Sequence, residues 1–126
     1  MLLKFKIRKT KRSNIYIKNK ETAREIVKQK LNDFNNIYGF TYNRVSIKNQ
    51  RTKWGSCSSK GNLNFNYKIV FLPEHLANYL IVHELCHLKE LSHSKSFWLL
   101  VEKTIPDYKI LKKELKAYSR SPEKME

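Results

Sequence analysis

The sequence predicts an α+β fold, with strands gathered in its first half and helices in its second. Three observations carry this. Period-two apolar alternation recurs before residue 70, helical spacing dominates after Pro73, and one of the later helices is apolar almost all round. The chain has 126 residues with three Gly and three Pro, a size for one domain with a modest core and no low-complexity architecture. One domain over residues 1–126 is therefore expected.

Leu3, Phe5 and Ile7 alternate with Lys4, Lys6 and Arg8, and Ile15 and Ile17 follow a polar stretch. This pattern predicts a short basic β-rich segment over residues 1–19, a hairpin or edge strand. Residues 20–37 place Ile26, Val27, Leu31, Phe34 and Ile37 near helical spacing, with Thr22 as a cap and Gly39 as the stop. Val45 and Ile47 alternate with polar neighbours and predict a strand, which Arg51–Ser56 extends past a bend. The run from Cys57 to Asn62 is a turn by composition. Leu63, Phe65, Tyr67 and Ile69 then alternate with Asn62, Asn64, Asn66 and Lys68, which predicts a strand with one polar face.

Pro73 opens a helix at a position where proline is tolerated. Leu76, Ala77, Leu80, Ile81, Val82, Leu85, Cys86 and Leu88 cover most of its circumference, so the helix is expected to be buried and to end near residues 90–92. A shorter helix is expected over about 94–104, with Phe97, Trp98, Leu100 and Val101 inward. A last helix starts at Pro106-Asp107, with Ile110, Leu111, Leu115 and Tyr118 on one side. Residues 119–126 are polar and are expected to fray.

Charge is unevenly spread. The chain carries 26 Lys+Arg against 11 Asp+Glu, a net +15. Before Pro73 stand 17 basic and 3 acidic side chains; from Pro73 onward stand 9 and 8. A front half at +14 makes nucleic acid or a nucleotide a possible partner, and a solvated basic surface is the plainer alternative. No apolar run is long enough to span a membrane, and the first residues lack a signal-peptide pattern, so a cytoplasmic protein is expected. Two cysteines cannot form a disulfide framework of the secreted kind. The oligomeric state is not legible.

The buried helix contains His83-Glu84-Leu85-Cys86-His87. Residues four apart on a helix project about 40° from each other, so His83 and His87 share a face and can bind one metal ion. Glu84 is rotated by about 100°, which leaves its carboxylate near the metal without making it a ligand. It can take a proton from a metal-activated water. Three such polar residues in an apolar helix need a compensating reason to be buried, and metal ligation supplies one.

A catalytic zinc site needs a third ligand and one open position. His93, six residues after His87, is the leading candidate, and its distance from His83 equals that in HExxHxxGxxH. Glu90 stands where that pattern has its turning glycine, and no later Met-turn is visible. Glu102 is an alternative carboxylate ligand, and His75 lies two turns before the pair. Cys86 sits on a different face of the helix and Cys57 lacks a zinc-ribbon partner, so both read as reduced thiols.

Three segments, Arg51 to Asn66, Val82 to Leu88 and His93 to Trp98, closely resemble those of YgjP-like metal-dependent hydrolases, and Pro106-Asp107-Tyr108 fits the same family's ending. The resemblance covers about residues 20–118. It implies a zincin-like fold related to the SprT-like proteases, a small antiparallel sheet packed on the HExxH helix, and further C-terminal helices. It implies Zn²⁺ held by His83, His87 and His93, with Glu84 as catalytic carboxylate, acting on a peptide or protein substrate. In zincins generally, a strand beside the active-site helix binds substrate, so Arg51, Lys53 and Asn64 are candidate substrate contacts. The expected function is a zinc metallopeptidase. The alternatives are a nucleotide pyrophosphatase, or a nucleic-acid-associated protease or binding module that uses the basic front half.

Overall fold

The first element is one long helix, α1, from Leu2 to Tyr38. The computed structural model describes the backbone of residues 2–119 and side chains from Asn14 to Tyr118. The hairpin expected over residues 1–19 does not form, because the backbone is helical from Leu2. No Gly or Pro interrupts residues 2–38, and Lys, Arg, Leu and Glu are strong helix formers. A strand needs a neighbour for its hydrogen bonds, whereas a helix closes its own. The expected cap at Thr22 is therefore an ordinary position within the helix. The basic side chains of residues 1–13, and the tail beyond Ser119, lie outside the described residues.

Ala23, Val27 and Leu31 form a fully buried stripe at four-residue spacing, while Ile37 faces solvent, contrary to expectation. Gly39 ends the helix at a φ of +70°, a conformation that glycine adopts without strain. Asn35 fixes that exit with both ends of its amide. Its Nδ2 donates to the Phe40 carbonyl at 2.7 Å and its Oδ1 accepts from the Phe40 N–H at 2.8 Å.

Three short strands follow, β1 (Arg44–Lys48), β2 (Gly55–Cys57) and β3 (Asn62–Asn66), in the order β1-β3-β2. The sheet is mixed rather than antiparallel as expected. β2 and β3 are joined by a tight turn closed by Gly61 N–H to Ser58 carbonyl at 3.0 Å, so they run antiparallel. β1 lies on the other side of β3, and the chain must cross over to reach β2. That crossing leaves β1 parallel to β3, with Val45 opposite Leu63 and Ile47 opposite Phe65.

β3 stops at Asn66 instead of continuing to Ile69. Asn66 Oδ1 accepts from the Lys68 N–H at 3.1 Å and starts a 3₁₀ turn over Tyr67–Phe71. Helix α2 (Glu74–Cys86) follows Pro73 and buries nine of its thirteen residues. It lies between the sheet and the remaining helices, α3 (Lys95–Glu102) and α4 (Tyr108–Ser119). In α4, Leu111 and Leu115 are buried while Ile110 is exposed, so the inward face is narrower than expected. Tyr38 Oη donates to the Leu100 carbonyl at 2.5 Å and lies 2.9 Å from Thr104 Oγ1, which ties α1 to α3. Tyr118 Oη donates to the Phe71 carbonyl at 3.0 Å and ties α4 to the 3₁₀ turn. No helix among the described residues is long and apolar enough to cross a membrane.

Candidate metal centre

His83 and His87 lie one turn apart at the end of α2, where the helix changes geometry. Its α-helical part ends at Cys86, earlier than expected. The next N–H groups, of His87, Leu88 and Lys89, bond three residues back, to the carbonyls of Glu84, Leu85 and Cys86 at 3.1–3.2 Å. This tightening turns the chain without a glycine at position 90, and no non-glycine among the described residues takes a positive φ. It also brings the Glu90 carbonyl to His87 Nδ1 at 2.9 Å. A carbonyl can only accept, so Nδ1 carries the proton and Nε2 offers a lone pair.

The returning chain delivers His93. Its Nε2 lies 3.1 Å from His87 Nε2 and 3.2 Å from His83 Nε2. His83 Nδ1 faces Glu84 Oε2 at 3.4 Å and donates to it, so the Nε2 of His83 also presents a lone pair. With His93 in the tautomer that leaves its Nε2 unprotonated, three imidazole lone pairs face one point, an arrangement that a cation between them stabilises. A tetrahedral centre with bonds of ~2.0–2.1 Å separates its nitrogen donors by about 3.3–3.4 Å, close to the two distances from His93, and the three donor atoms all lie within 4.8 Å of one another. The residues therefore fit a metal ion, and together they form a group able to hold one. His93 is held below the ordinary imidazole range, first by desolvation and then by the neighbouring His83, His87 and Lys112. That direction favours the neutral, ligating form.

Aromatic rings fix the imidazoles. Phe97 stacks on His87 with ring centroids 4.3 Å apart, and Trp98 stacks on His93 at 5.8 Å. Tyr108 stacks in turn on Trp98 at 4.9 Å. Ser94 caps α3 by accepting from the Phe97 N–H, which sets the angle at which both rings approach.

Glu84 is buried, yet it lines a cavity of about 440 Å³ shared with His83 and His93. Trp54 and Gly55, Tyr79 and Leu80, and Leu115 form other parts of its wall. The Tyr79 phenol is pushed above its usual range, first by burial and then by the Glu84 carboxylate, so it stays protonated.

The candidate substrate contacts divide. Lys53 lines the cavity. Arg51 is exposed in the bend before it, and Asn64 donates to Ser56 Oγ at 3.2 Å; neither is part of the cavity wall. The two alternatives for third ligand stand apart from the cluster. His75 Nε2 pairs with Glu114 at 3.0 Å, and Glu102 is exposed at the end of α3. Cys86 is fully buried and outside the metal group, as is the partly buried Cys57.

One structural residue escaped the sequence reading. Asn66, 1% exposed, donates through Nδ2 to the carbonyls of Gln50 at 2.8 Å and Lys53 at 2.9 Å. Its backbone N–H donates to the Trp54 carbonyl at 2.8 Å. The segment Arg51–Cys57 thus hangs on Asn66, which positions the cavity wall at Lys53–Gly55. An asparagine at the end of an alternating strand was the available signal, but its partners lie 13 and 16 residues away in sequence.

No curated protein matches the chain. Among solved structures, it resembles the metallopeptidase zymogen abylysin of Pyrococcus abyssi, with 29% identity and a TM-score of 0.66 over 72% of this chain and 92% of that one. The model of the YgjP-like metallopeptidase domain matches residues 5–118. The metal-fitting histidine cluster, the buried carboxylate beside it and this match lead to one conclusion: the chain belongs to the YgjP-like metallopeptidases, a family of metal-dependent hydrolases.

Proposed function

We propose that the protein is a zinc peptidase in which His83, His87 and His93 hold the metal through Nε2 and Glu84 is the catalytic carboxylate. The convergence of three Nε2 atoms beside a cavity that Glu84 also lines carries this reading. Three imidazoles with one open position are a donor set typical of catalytic zinc. When bound, zinc supplies a lowered pKa for a coordinated water and polarises a substrate carbonyl. Glu84 takes a proton from the attacking water and returns it to the leaving amine. The aromatic shell of Phe97, Trp98 and Tyr108 keeps the imidazoles in place, and Tyr79 supplies a protonated phenol to the cavity wall. The unpaired thiols of Cys57 and Cys86 support a reducing, cytoplasmic setting for this one-domain enzyme.

The test compares wild type with Glu84→Gln on casein and on mixed nucleoside triphosphates, with zinc measured by mass spectrometry. The variant is expected to keep its zinc and lose casein hydrolysis by about 10²–10⁴-fold. Undiminished activity would overturn the role of Glu84. Hydrolysis of nucleotides but not casein would overturn the peptidase reading.

A further inference from the structure

Lys53, Lys112 and Lys116 all line the cavity that holds Glu84. They come from two separate places, the segment before β2 and one face of α4, where residues four apart lie on the same ridge. Among the described residues, Glu84 is the only acid in the wall. Three ammonium groups against one carboxylate leave the cavity at +2 before any metal is bound. Among the described residues, none of the three lysines has an acidic partner. The acid nearest in sequence on α4, Glu114, is engaged by His75. Lys112 is also held in place: its Nζ lies 4.8 Å over the Trp98 ring, and Trp98 stacks on His93. A cation is thereby tethered beside the third imidazole.

The same wall also carries the apolar side chains of Trp54, Leu80 and Leu115. Such a surface takes a short apolar stem that ends in a negative charge. We propose that Lys53, Lys112 and Lys116 make this a carboxylate-selecting cavity, whose substrates carry an Asp or Glu side chain, or a free C-terminal carboxylate, next to the scissile bond. This proposal rests on the peptidase reading. The lysines meet a carboxylate whose charge does not change during the reaction, so they bind ground state and transition state alike and act through KM.

The experiment uses one quenched fluorescent peptide scaffold with Glu, Gln or Lys beside the cleavage site and an amidated C-terminus. A fourth peptide carries Gln and a free C-terminal carboxylate. The zinc-loaded full chain is expected to cleave the Glu peptide, or the free-acid peptide, at least about tenfold more efficiently than the amidated Gln peptide, with the gain in KM. Preference for the Glu peptide assigns the carboxylate to a side chain, and preference for the free acid assigns it to the C-terminus. Lys112→Glu/Lys116→Glu should reverse the order in favour of the Lys peptide, and raised salt should flatten it. All three lysines are exposed, and a melting curve checks that the variants fold.

The same labelled peptides are titrated into Glu84→Gln by fluorescence anisotropy. Tighter binding of the acidic peptides supports the proposal even if no peptide is cleaved, the result that would sink the peptidase reading alone. Equal binding and cleavage of the Glu, Gln and Lys peptides would overturn carboxylate selection while leaving peptidase activity intact. Displacement of the Glu peptide by adenosine triphosphate at lower concentration than by its own unlabelled form would also overturn it, in favour of a phosphate site.

Discussion

Gly55 lies directly against Glu84. A Cβ at position 55 would meet Glu84 Cγ and Oε2 at 3.1 Å and the Asn64 carbonyl oxygen at 2.9 Å. Gly55 does not take a positive φ, so the glycine is required by close approach and not by backbone conformation. β2 is thereby laid against the carboxylate, and the space available to Glu84 is set from the sheet as well as from its own helix.

Gly55→Ala should therefore displace either β2 or the Glu84 carboxylate. The Asn64 oxygen belongs to the backbone of β3 and gives way less readily than the side chain. A displacement approaching 1 Å in the proton-transferring group is expected to lower kcat/KM by about 10- to 100-fold. Zinc content should be unchanged, because no imidazole is touched. Wild-type kinetics in Gly55→Ala would show that Glu84 has more freedom than this packing allows.

His93→Ala and Glu102→Ala separate the two routes to a third ligand. Loss of His93 leaves two imidazoles, and zinc affinity should fall by several orders of magnitude, read by competition with a chromophoric chelator. Glu102→Ala should bind zinc as wild type does. The opposite ranking would move the third ligand to α3.

Asn66→Ala removes two donors from the Gln50 and Lys53 carbonyls and the acceptor for the Lys68 N–H. Leaving such groups unpartnered costs about 1–3 kcal/mol, measurable by urea denaturation. Asn66→Asp should be worse, since a carboxylate cannot donate and would face two carbonyls. Because the segment that carries Lys53 and Trp54 hangs on this side chain, KM should rise in the alanine variant as well.

Burial pushes both thiols up to about 11, and for Cys57 the Glu84 carboxylate adds to the effect. With a folded pKa above the ordinary thiol value, the reactive thiolate is scarce at pH 8 and grows as pH rises toward 11. Alkylation of the metal-free native protein should be slow at pH 8 and accelerate with pH. Glu84→Gln removes a negative charge that opposes the thiolate, so the Cys57 pKa should fall and its alkylation at fixed pH should quicken. Cys86, without that neighbour, should not respond.

Some of this was legible in the residues themselves. The HExxH spacing places two imidazoles on one face of any helix, because 3.6 residues make a turn wherever the helix lies. The apolar circumference of α2 announces its burial, and Gly39 and Pro73 mark boundaries through local dihedral preference. These features depend on neighbours within one or two turns.

The N-terminal segment reads otherwise because alternation of apolar and basic residues is compatible with either element. With no partner strand to receive it, the backbone closes its hydrogen bonds locally, and the helix runs from Leu2 to Tyr38. The sheet is mixed for a similar reason. Strand direction depends on which edge of β3 the chain reaches, a choice that the alternation within β1 does not encode.

The sequence alone thus determined the shared face of His83 and His87 on α2, the residue types available to the site and the α+β class, since each follows from local periodicity and side-chain chemistry. Only the tertiary structure decided that Nε2 of His93 returns to the same point, that Gly55 walls in Glu84, that Asn66 holds Lys53 at the cavity, and that lysines from β2's approach and α4 share its wall. Each of these is a contact between residues distant in the chain or brought together by a change in helix geometry, and packing, not propensity, fixes such contacts.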